Sequence, residues 1–363
     1  MNDNTYCIIM AGGLGTRFWP ISRSDYPKQF IDILGTGETL VQQTYERFAQ
    51  LVPEENILLV TNEKYKHLVE KQLPDLYSSQ LLLEPARRNT APCLAYACHK
   101  IKEINPGANI VVTPSDHIIT KESNFLNTIQ ESLDISSEND WILTLGLNPV
   151  RPETDYGYIQ FDEENNFSNN KNVHKVKTFT EKPDKEMADK FIESGDFLWN
   201  AGIFIASLDT WLTALRKHLP DVYNTFNAGA GKYNTANETS FVRSAYTVCK
   251  NISIDYGIME KADNTFVYVS SFGWSDLGNW DALYNSLEKD EAKNSILGKK
   301  VKIYDSTECL VNMHEDKLVI LQGLNGYIVA EDNNALLVCK REQESAIRKI
   351  INDIRIKYGE QYL

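Results

Sequence analysis

Paired cysteines are missing from the 363-residue sequence: Cys7, Cys93, Cys98, Cys249, Cys309 and Cys339 are scattered, with no CxxC among them. A chain of this length builds a core without disulfides, so these residues read as reduced, mostly buried thiols. His67, His99, His117, His174, His218 and His314 are dispersed too, which excludes the close Cys/His spacing of a structural zinc site. Positive charge is in short supply. With 37 Lys and Arg against 50 Asp and Glu, the net charge is −13, which disfavours nonspecific binding to nucleic acid or an anionic membrane. No long apolar run is present and Met1 to Gly15 carries no basic leader, so neither a transmembrane helix nor a signal peptide is expected, and the cytoplasm is the expected location. What remains is a 42% hydrophobic, 24% charged chain that can bury one large domain plus a smaller one. A small-molecule enzyme is the leading class.

The first half alternates short apolar β-type runs (Tyr6 to Ala11, Ile57 to Val60, Leu81 to Leu83, Ile110 to Thr113, Trp141 to Leu145) with helical patterns near 39–51, 63–73, 91–104 and 124–136. Such alternation predicts right-handed βαβ crossovers and an α/β fold of Rossmann-like, doubly wound type, its sheet mainly parallel. Further strands are expected at Tyr158 to Phe161, Lys175 to Thr180, Gly202 to Ala206 and Phe266 to Ser270, with helices over Lys185 to Ser194 and Leu208 to His218. After the polar stretch Glu288 to Asn294 the period changes to closely spaced β runs and a final helix. This predicts a catalytic domain over 1–295 and a small β-rich domain over 296–363 that packs on the first domain or on a second subunit.

Directly after the first strand comes Ala11-Gly12-Gly13-Leu14-Gly15-Thr16-Arg17, an anion cradle by position and composition. It lacks the third glycine of a dinucleotide fingerprint and the Gly-Lys-Ser/Thr of a Walker loop. A glycine turn without a ligand is the plainer alternative. Arg17 and Lys28, the latter in Tyr26-Pro27-Lys28-Gln29, are two cations that could face one polyphosphate, Arg as a fork and Lys as a compact charge; otherwise they are solvated surface charges.

Two carboxylates stand at predicted strand ends. Ile110 to Thr113 runs into Pro114-Ser115-Asp116-His117, where open α/β sheets bind ligands, and Asp276 follows the aromatic approach Phe272-Gly273-Trp274-Ser275. Hard oxygens of this kind suit Mg2+. Asp276 alternatively caps a helix starting near Leu277. The segment Leu83-Glu84-Pro85-Ala86-Arg87-Arg88-Asn89-Thr90-Ala91-Pro92 closes a strand and opens a helix, with Thr90 a candidate cap.

The run Gly12-Gly13-Leu14-Gly15-Thr16-Arg17-Phe18-Trp19-Pro20-Ile21-Ser22-Arg23, continued by Pro27-Lys28-Gln29, resembles the signature of the sugar-1-phosphate nucleotidyltransferases, in its mannose-1-phosphate guanylyltransferase version. Asp116 and Asp276 match the positions of that family's metal aspartates. The resemblance implies that Ala11, Gly12, Gly13, Gly15, Thr16 and Ser115 surround the phosphates, and that Glu84, Pro85, Arg88, Asn89 and Thr90 surround base and ribose. It implies sugar-phosphate contacts at Tyr156, Gly157, Glu181, Lys182, Asn200 and Gly202; taken alone, Glu181-Lys182 is an ordinary surface pair. The implied reaction is attack of mannose 1-phosphate on the α-phosphorus of GTP with Mg2+, giving GDP-mannose and pyrophosphate, with Arg17, Lys28, Asp116 and Asp276 catalytic. A homodimer built partly on a left-handed β-helix-like tail is expected, without the isomerase activity fused to some relatives. A transferase for another sugar or base, a noncatalytic sugar-nucleotide sensor and a nicotinamide oxidoreductase are the alternatives.

Overall fold

The computed structural model describes residues 2–13, 15–166, 170–313 and 316–363, with the backbone alone for 163–166; Leu14 of the glycine-rich loop and His314 lie outside the described residues. The chain folds into two compact units: one holds the N-terminus to Gly12 with 44–115 and 119–274, the other 13–43, 116–118 and 275–363.

The first unit is an α/β layer structure. Its strands are drawn from β1 (Thr5–Met10), β2 (Ile57–Asn62), β3 (Leu81–Glu84) and β4 (Asn109–Pro114), followed along the chain by the two-residue β5 (Ile118–Ile119) and by β6 (Ile142–Leu147), β7 (Gly157–Asn166), β8 (Val173–Glu181), β9 (Phe197–Ser207) and β10 (Thr265–Ser270). Apart from β5 these form a single sheet in the order β3-β2-β1-β4-β9-β6-β10-β8-β7. β1 to β4 pair in parallel, and their apolar runs are buried on both faces, as parallel strands covered by helices require. β9 enters antiparallel between β4 and β6, so the mixed character of the sheet arises in its second half.

Helices α1 (Leu40–Ala49), α2 (Lys66–Gln72), α3 (Thr90–Lys102), α4 (Glu122–Glu138), α5 (Lys185–Ser194), α6 (Leu208–His218), α7 (Pro220–Asn227) and α8 (Glu238–Val248) follow the strands. Alternate residues of β1 split between two cores: Tyr6 and Ile8 pack with Leu94, Ala97 and Ile101 of α3, whereas Cys7 and Ile9 pack with Phe125, Ile129 and Leu133 of α4. The predicted helices over 185–194 and 208–218 are found at those bounds, while α7 and α8 fall where the sequence predicts no element.

The second unit holds one residue of β11 (Trp274–Ser275), then α9 (Trp280–Ser286) and a tail of β12 (Ser295–Leu297), β13 (Val301–Tyr304), β14 (Leu310–Asn312), β15 (Val319–Gln322), β16 (Tyr327–Asp332), β17 (Ala335–Lys340) and α10 (Ile347–Tyr358). β12, β14 and β16 stack in parallel, as do β13 and β15, which gives β-helix-like coils; β17 closes on β16 antiparallel. The compact units depart from the linear boundary expected at residue 295. Phe18, Trp19, Ile21 and Ile33 bury their side chains with Trp280, Leu283, Leu310, Ile328, Ile347 and Ile351, so the segment after the glycine loop shares its core with the tail. Trp19 Nε1 donates to the Tyr362 carbonyl at 2.7 Å and Arg23 pairs with Asp332 at 3.3 Å, which fixes that union with directional contacts. Among the described residues no helix is long and apolar enough to cross a membrane.

Candidate active site

Strand order marks a candidate place for a ligand. From β1 the chain builds outward through β2 and β3, then returns to place β4 on the other side of β1, so the neighbours β1 and β4 form the switch point where α/β sheets leave room for ligands. Their carboxyl ends deliver Ala11-Gly12 and Ser115, held by Ala11 N to Val60 O at 2.8 Å and Ser115 N to Met10 O at 3.1 Å. Ala11 and Ser115 are buried.

Within the second unit, Lys28 is the hub. It begins a 3-10 turn over Lys28–Phe30 and is 9% exposed; its Nζ lies 3.1 Å from Asp116 Oδ2 and donates to the carbonyls of Asp276 at 3.0 Å and Leu277 at 2.9 Å. Three acceptors meet the three protons of the ammonium. A phosphate oxygen reaching Lys28 would therefore replace one of them. Gly15 makes the approach feasible: its φ is +59°, and a Cβ there would lie 2.8 Å from Lys28 N and 2.9 Å from Lys28 Cγ. Gln29 donates from Nε2 to the Gly13 carbonyl at 3.0 Å, and Arg17 from Nη1 to the Gly278 carbonyl at 3.3 Å, while Thr16 begins a second 3-10 turn. The predicted cations Arg17 and Lys28 are both gathered around the residues following Asp276.

Asp276 is not the cap of the next helix. Asn279 caps α9 through Ala282 N, and Asp276 Oδ1 instead accepts from Gly278 N at 2.9 Å. Leu277 between them is buried at φ +46°, a conformation that costs a β-carbon-bearing residue about 1–2 kcal/mol and here turns its carbonyl toward Lys28. Burial alone would raise the Asp116 carboxyl, but Lys28 and then His117 outweigh it and hold it below the usual range. Asp116 is a carboxylate facing the Lys28 ammonium, which the Asp276 backbone carbonyl also meets.

The first unit carries the other predicted groups. Gly157 opens β7, and a Cβ there would stand 2.7 Å from Glu181 Oε2 and 3.3 Å from Asn200 Cβ, so glycine keeps a gap between the two. Asn200 is fixed on β9: its Oδ1 accepts from Thr144 Oγ1 at 2.9 Å and Gly202 N at 3.1 Å, and its Nδ2 donates to Asp255 Oδ1 at 3.3 Å. Gly202 thus supports Asn200. Lys182, at φ +49°, turns outward beside Glu181, 3.1 Å away, with its own N–H on the Tyr156 carbonyl at 3.2 Å. Tyr156 has a buried ring set edge-to-face against Trp199 and Trp274, each 5.1 Å away.

At the end of β3, Glu84 is buried and accepts from Tyr246 Oη at 2.7 Å; burial pushes its carboxyl up to about 7 against the opposing pull of Tyr246 and Arg87. Pro85 is half-buried beside it. Arg88 donates from Nε to the Tyr246 carbonyl at 3.0 Å. Asn89, not Thr90, is the cap of α3: its side chain accepts from Thr90 N at 3.0 Å, and Thr90 Oγ1 accepts from Ile254 N at 2.8 Å. Thr144, Tyr246 and Asp255 are hydrogen-bond partners of predicted site residues that local sequence did not single out.

The first unit's open α/β sheet with its glycine loop at the switch point, and separately the second unit's Lys28–Asp116 tie, are features of phosphate-handling α/β enzymes. The model of the "Nucleotidyl transferase" family matches residues 6–293 and that of the "MannoseP isomerase/GMP-like beta-helix domain" matches 298–354. The chain belongs to the nucleotidyl transferase family. The alginate biosynthesis protein AlgA of Pseudomonas aeruginosa is 32% identical over 96% of this chain and 71% of its own length. Mannose-1-phosphate guanylyltransferase of Salmonella montevideo is 33% identical over 98% of this chain and 75% of its own. A crystal structure described as mannose-1-phosphate geranyltransferase from Thermus thermophilus superposes with a TM-score of 0.86 at 31% identity, covering 97% of this chain and 99% of that one.

Proposed function

We propose that this enzyme transfers GMP from GTP to mannose 1-phosphate, giving GDP-mannose and pyrophosphate. The observation that carries the choice of base and sugar is the 33% identity to a mannose-1-phosphate guanylyltransferase over 98% of the chain, which spans the phosphate hub and the Glu181–Asn200 pair alike. The sugar phosphate is largely dianionic at neutral pH, so one of its oxygens attacks the α-phosphorus directly, the α–β anhydride bond breaks and pyrophosphate leaves. No protein nucleophile or general base is needed. The work left to the protein is alignment and charge compensation.

In this reading Arg17 and Lys28 compensate the triphosphate, Lys182 meets the incoming phosphate, and Glu181 and Asn200 hold sugar hydroxyls. Glu84 presents acceptors to the donor edge of guanine. Asp116 and Asp276 would hold Mg2+, which supplies charge stabilisation on phosphate oxygens when bound. The test is pyrophosphate release across a grid of nucleoside triphosphates and sugar 1-phosphates, with and without Mg2+. A dominant, Mg2+-dependent signal for GTP with mannose 1-phosphate is expected. Dominance of another pair overturns the base or the sugar, and silence with nucleotide sugar still bound favours a sensor.

A further inference from the structure

We infer that Asp255 is a positioning residue that fixes Asn200 as a hydrogen-bond donor to the sugar; this rests on the transfer reaction proposed above. The argument is an inventory of one side-chain amide. Asn200 Oδ1 has two lone pairs, met by Gly202 N at 3.1 Å and by the Thr144 hydroxyl at 2.9 Å, the shorter of that hydroxyl's two acceptor contacts, the other being the Ile203 carbonyl at 3.2 Å. Nδ2 carries two N–H groups, of which one meets Asp255 Oδ1 at 3.3 Å. Among the described residues one donor is left over and no acceptor. Rotating the amide by half a turn would set Nδ2 against the Gly202 N–H, so Gly202 selects the orientation, and the ionised Asp255 carboxylate, which can only accept, reinforces it.

The remaining donor has a direction. A Cβ on residue 157 would lie 3.5 Å from Asn200 Nδ2 and 2.7 Å from Glu181 Oε2, so the amide donor and the carboxylate acceptor border the same small gap. Two neighbouring hydroxyls of a pyranose match that border, one donating to Glu181 and the other accepting from Asn200. A ligand with a single hydroxyl there satisfies only half of it.

Asp255 is itself held in place. It opens a π-helical turn over Asp255–Met259, a local widening that helices adopt frequently at functional positions. The residues before it are zipped to the start of α3: Ile252 N to Arg88 O at 3.2 Å, Ala91 N to Ile252 O at 3.1 Å and Ile254 N to Thr90 Oγ1 at 2.8 Å. Burial, reinforced by the Glu181 charge, pushes its carboxyl up to about 7.

Steady-state kinetics of the full-length wild type, Asp255→Leu and Asp255→Asn, with GTP and mannose 1-phosphate varied separately, tests the inference. Asp255→Leu is expected to raise KM for the sugar phosphate about tenfold, the weight of one hydrogen bond, with KM for GTP within about twofold. Asp255→Asn, whose Oδ1 can still accept from Asn200, is expected to stay within about threefold of wild type for both substrates. If thermal melting shows that the leucine variant does not fold, Thr144→Val carries the test, since it frees the opposite side of the amide and is expected to raise the same KM. An unchanged sugar KM, an equal rise for both substrates, or an asparagine variant as impaired as the leucine one overturns the positioning role. Active wild type with an unresponsive Asp255→Leu removes that role alone, whereas wild type silent toward every sugar phosphate overturns the transfer reaction and the inference with it.

Discussion

A buried ammonium with three protein acceptors is both a structural tie and a reserve of charge, and Lys28 is such a group. Its removal strands the Asp116 carboxylate, so Lys28→Ala is expected to cost about 3 kcal/mol of stability and to lower turnover at least a hundredfold. KM for the sugar phosphate should change less than threefold. Denaturant melts and steady-state kinetics read these effects separately, and unchanged turnover would remove Lys28 from the mechanism. Asp255 gives a pH-dependent expectation. Its carboxyl moves from the ordinary 3.8 to about 7 on folding, chiefly by burial, with Glu181 reinforcing and Lys182 opposing. The folded state therefore favours the proton, and the associated stability is complete below about pH 4 and lost as pH rises through about 7. Glu84, raised to about 7 by burial, adds a slope of the same sign in every variant. Asp255→Asn should thus flatten, relative to wild type, the fall of melting temperature across that window; parallel curves would refute the assignment. Lys28 and Asp116 are legible in the sequence because each follows a local signal, a proline-flanked turn and a strand end. Asp255, Tyr246 and Thr144 are not, since each gains its meaning only from a partner far along the chain, Asn200 or Glu84.

At the scale of elements, the alternating first half is legible from periodicity with strand ends shifted by a residue or two, because buried parallel strands carry continuous apolar runs. The region 220–248 gives no such signal. It is rich in Asn and Thr, and α7 and α8 exist through Val222, Phe226, Val242 and Tyr246, whose burial in the first core supplies what local propensity lacks. The glycine loop behaves in the opposite way: composition suggests its function, but the structure shows which position is indispensable. Gly15→Ala combines a left-handed φ with a Cβ only 2.8 Å from the Lys28 backbone nitrogen. Expected are a loss of about 2 kcal/mol or more in stability and a fall in turnover like that of Lys28→Ala, read by melting and pyrophosphate release. A variant with native turnover would show that the loop and Lys28 adjust independently.

For the whole molecule, the distinction between linear and compact organisation has a measurable consequence. Family models divide the chain between 293 and 298, close to the change of period seen in the sequence, yet residues 13–43 pack with the tail. Periodicity marks where one type of element gives way to another; it carries no information about which distant apolar residues share a core. If the tail were an appendage, a chain ending at 295 would keep its phosphate hub. The burial of Phe18, Trp19 and Ile21 with Leu310, Ile328, Ile347 and Ile351 argues otherwise, because deletion leaves a large apolar surface exposed on the segment that supplies Arg17 and Lys28. Residues 1–295 expressed alone should therefore be prone to aggregation and lose pyrophosphate release. The sheet of the first unit, whose two cores contain no residue of the tail, should survive as protease-resistant secondary structure. Far-UV circular dichroism, limited proteolysis and the transfer assay distinguish the cases: a soluble 1–295 fragment with native turnover would mean that residues 13–43 hold their shape without the tail.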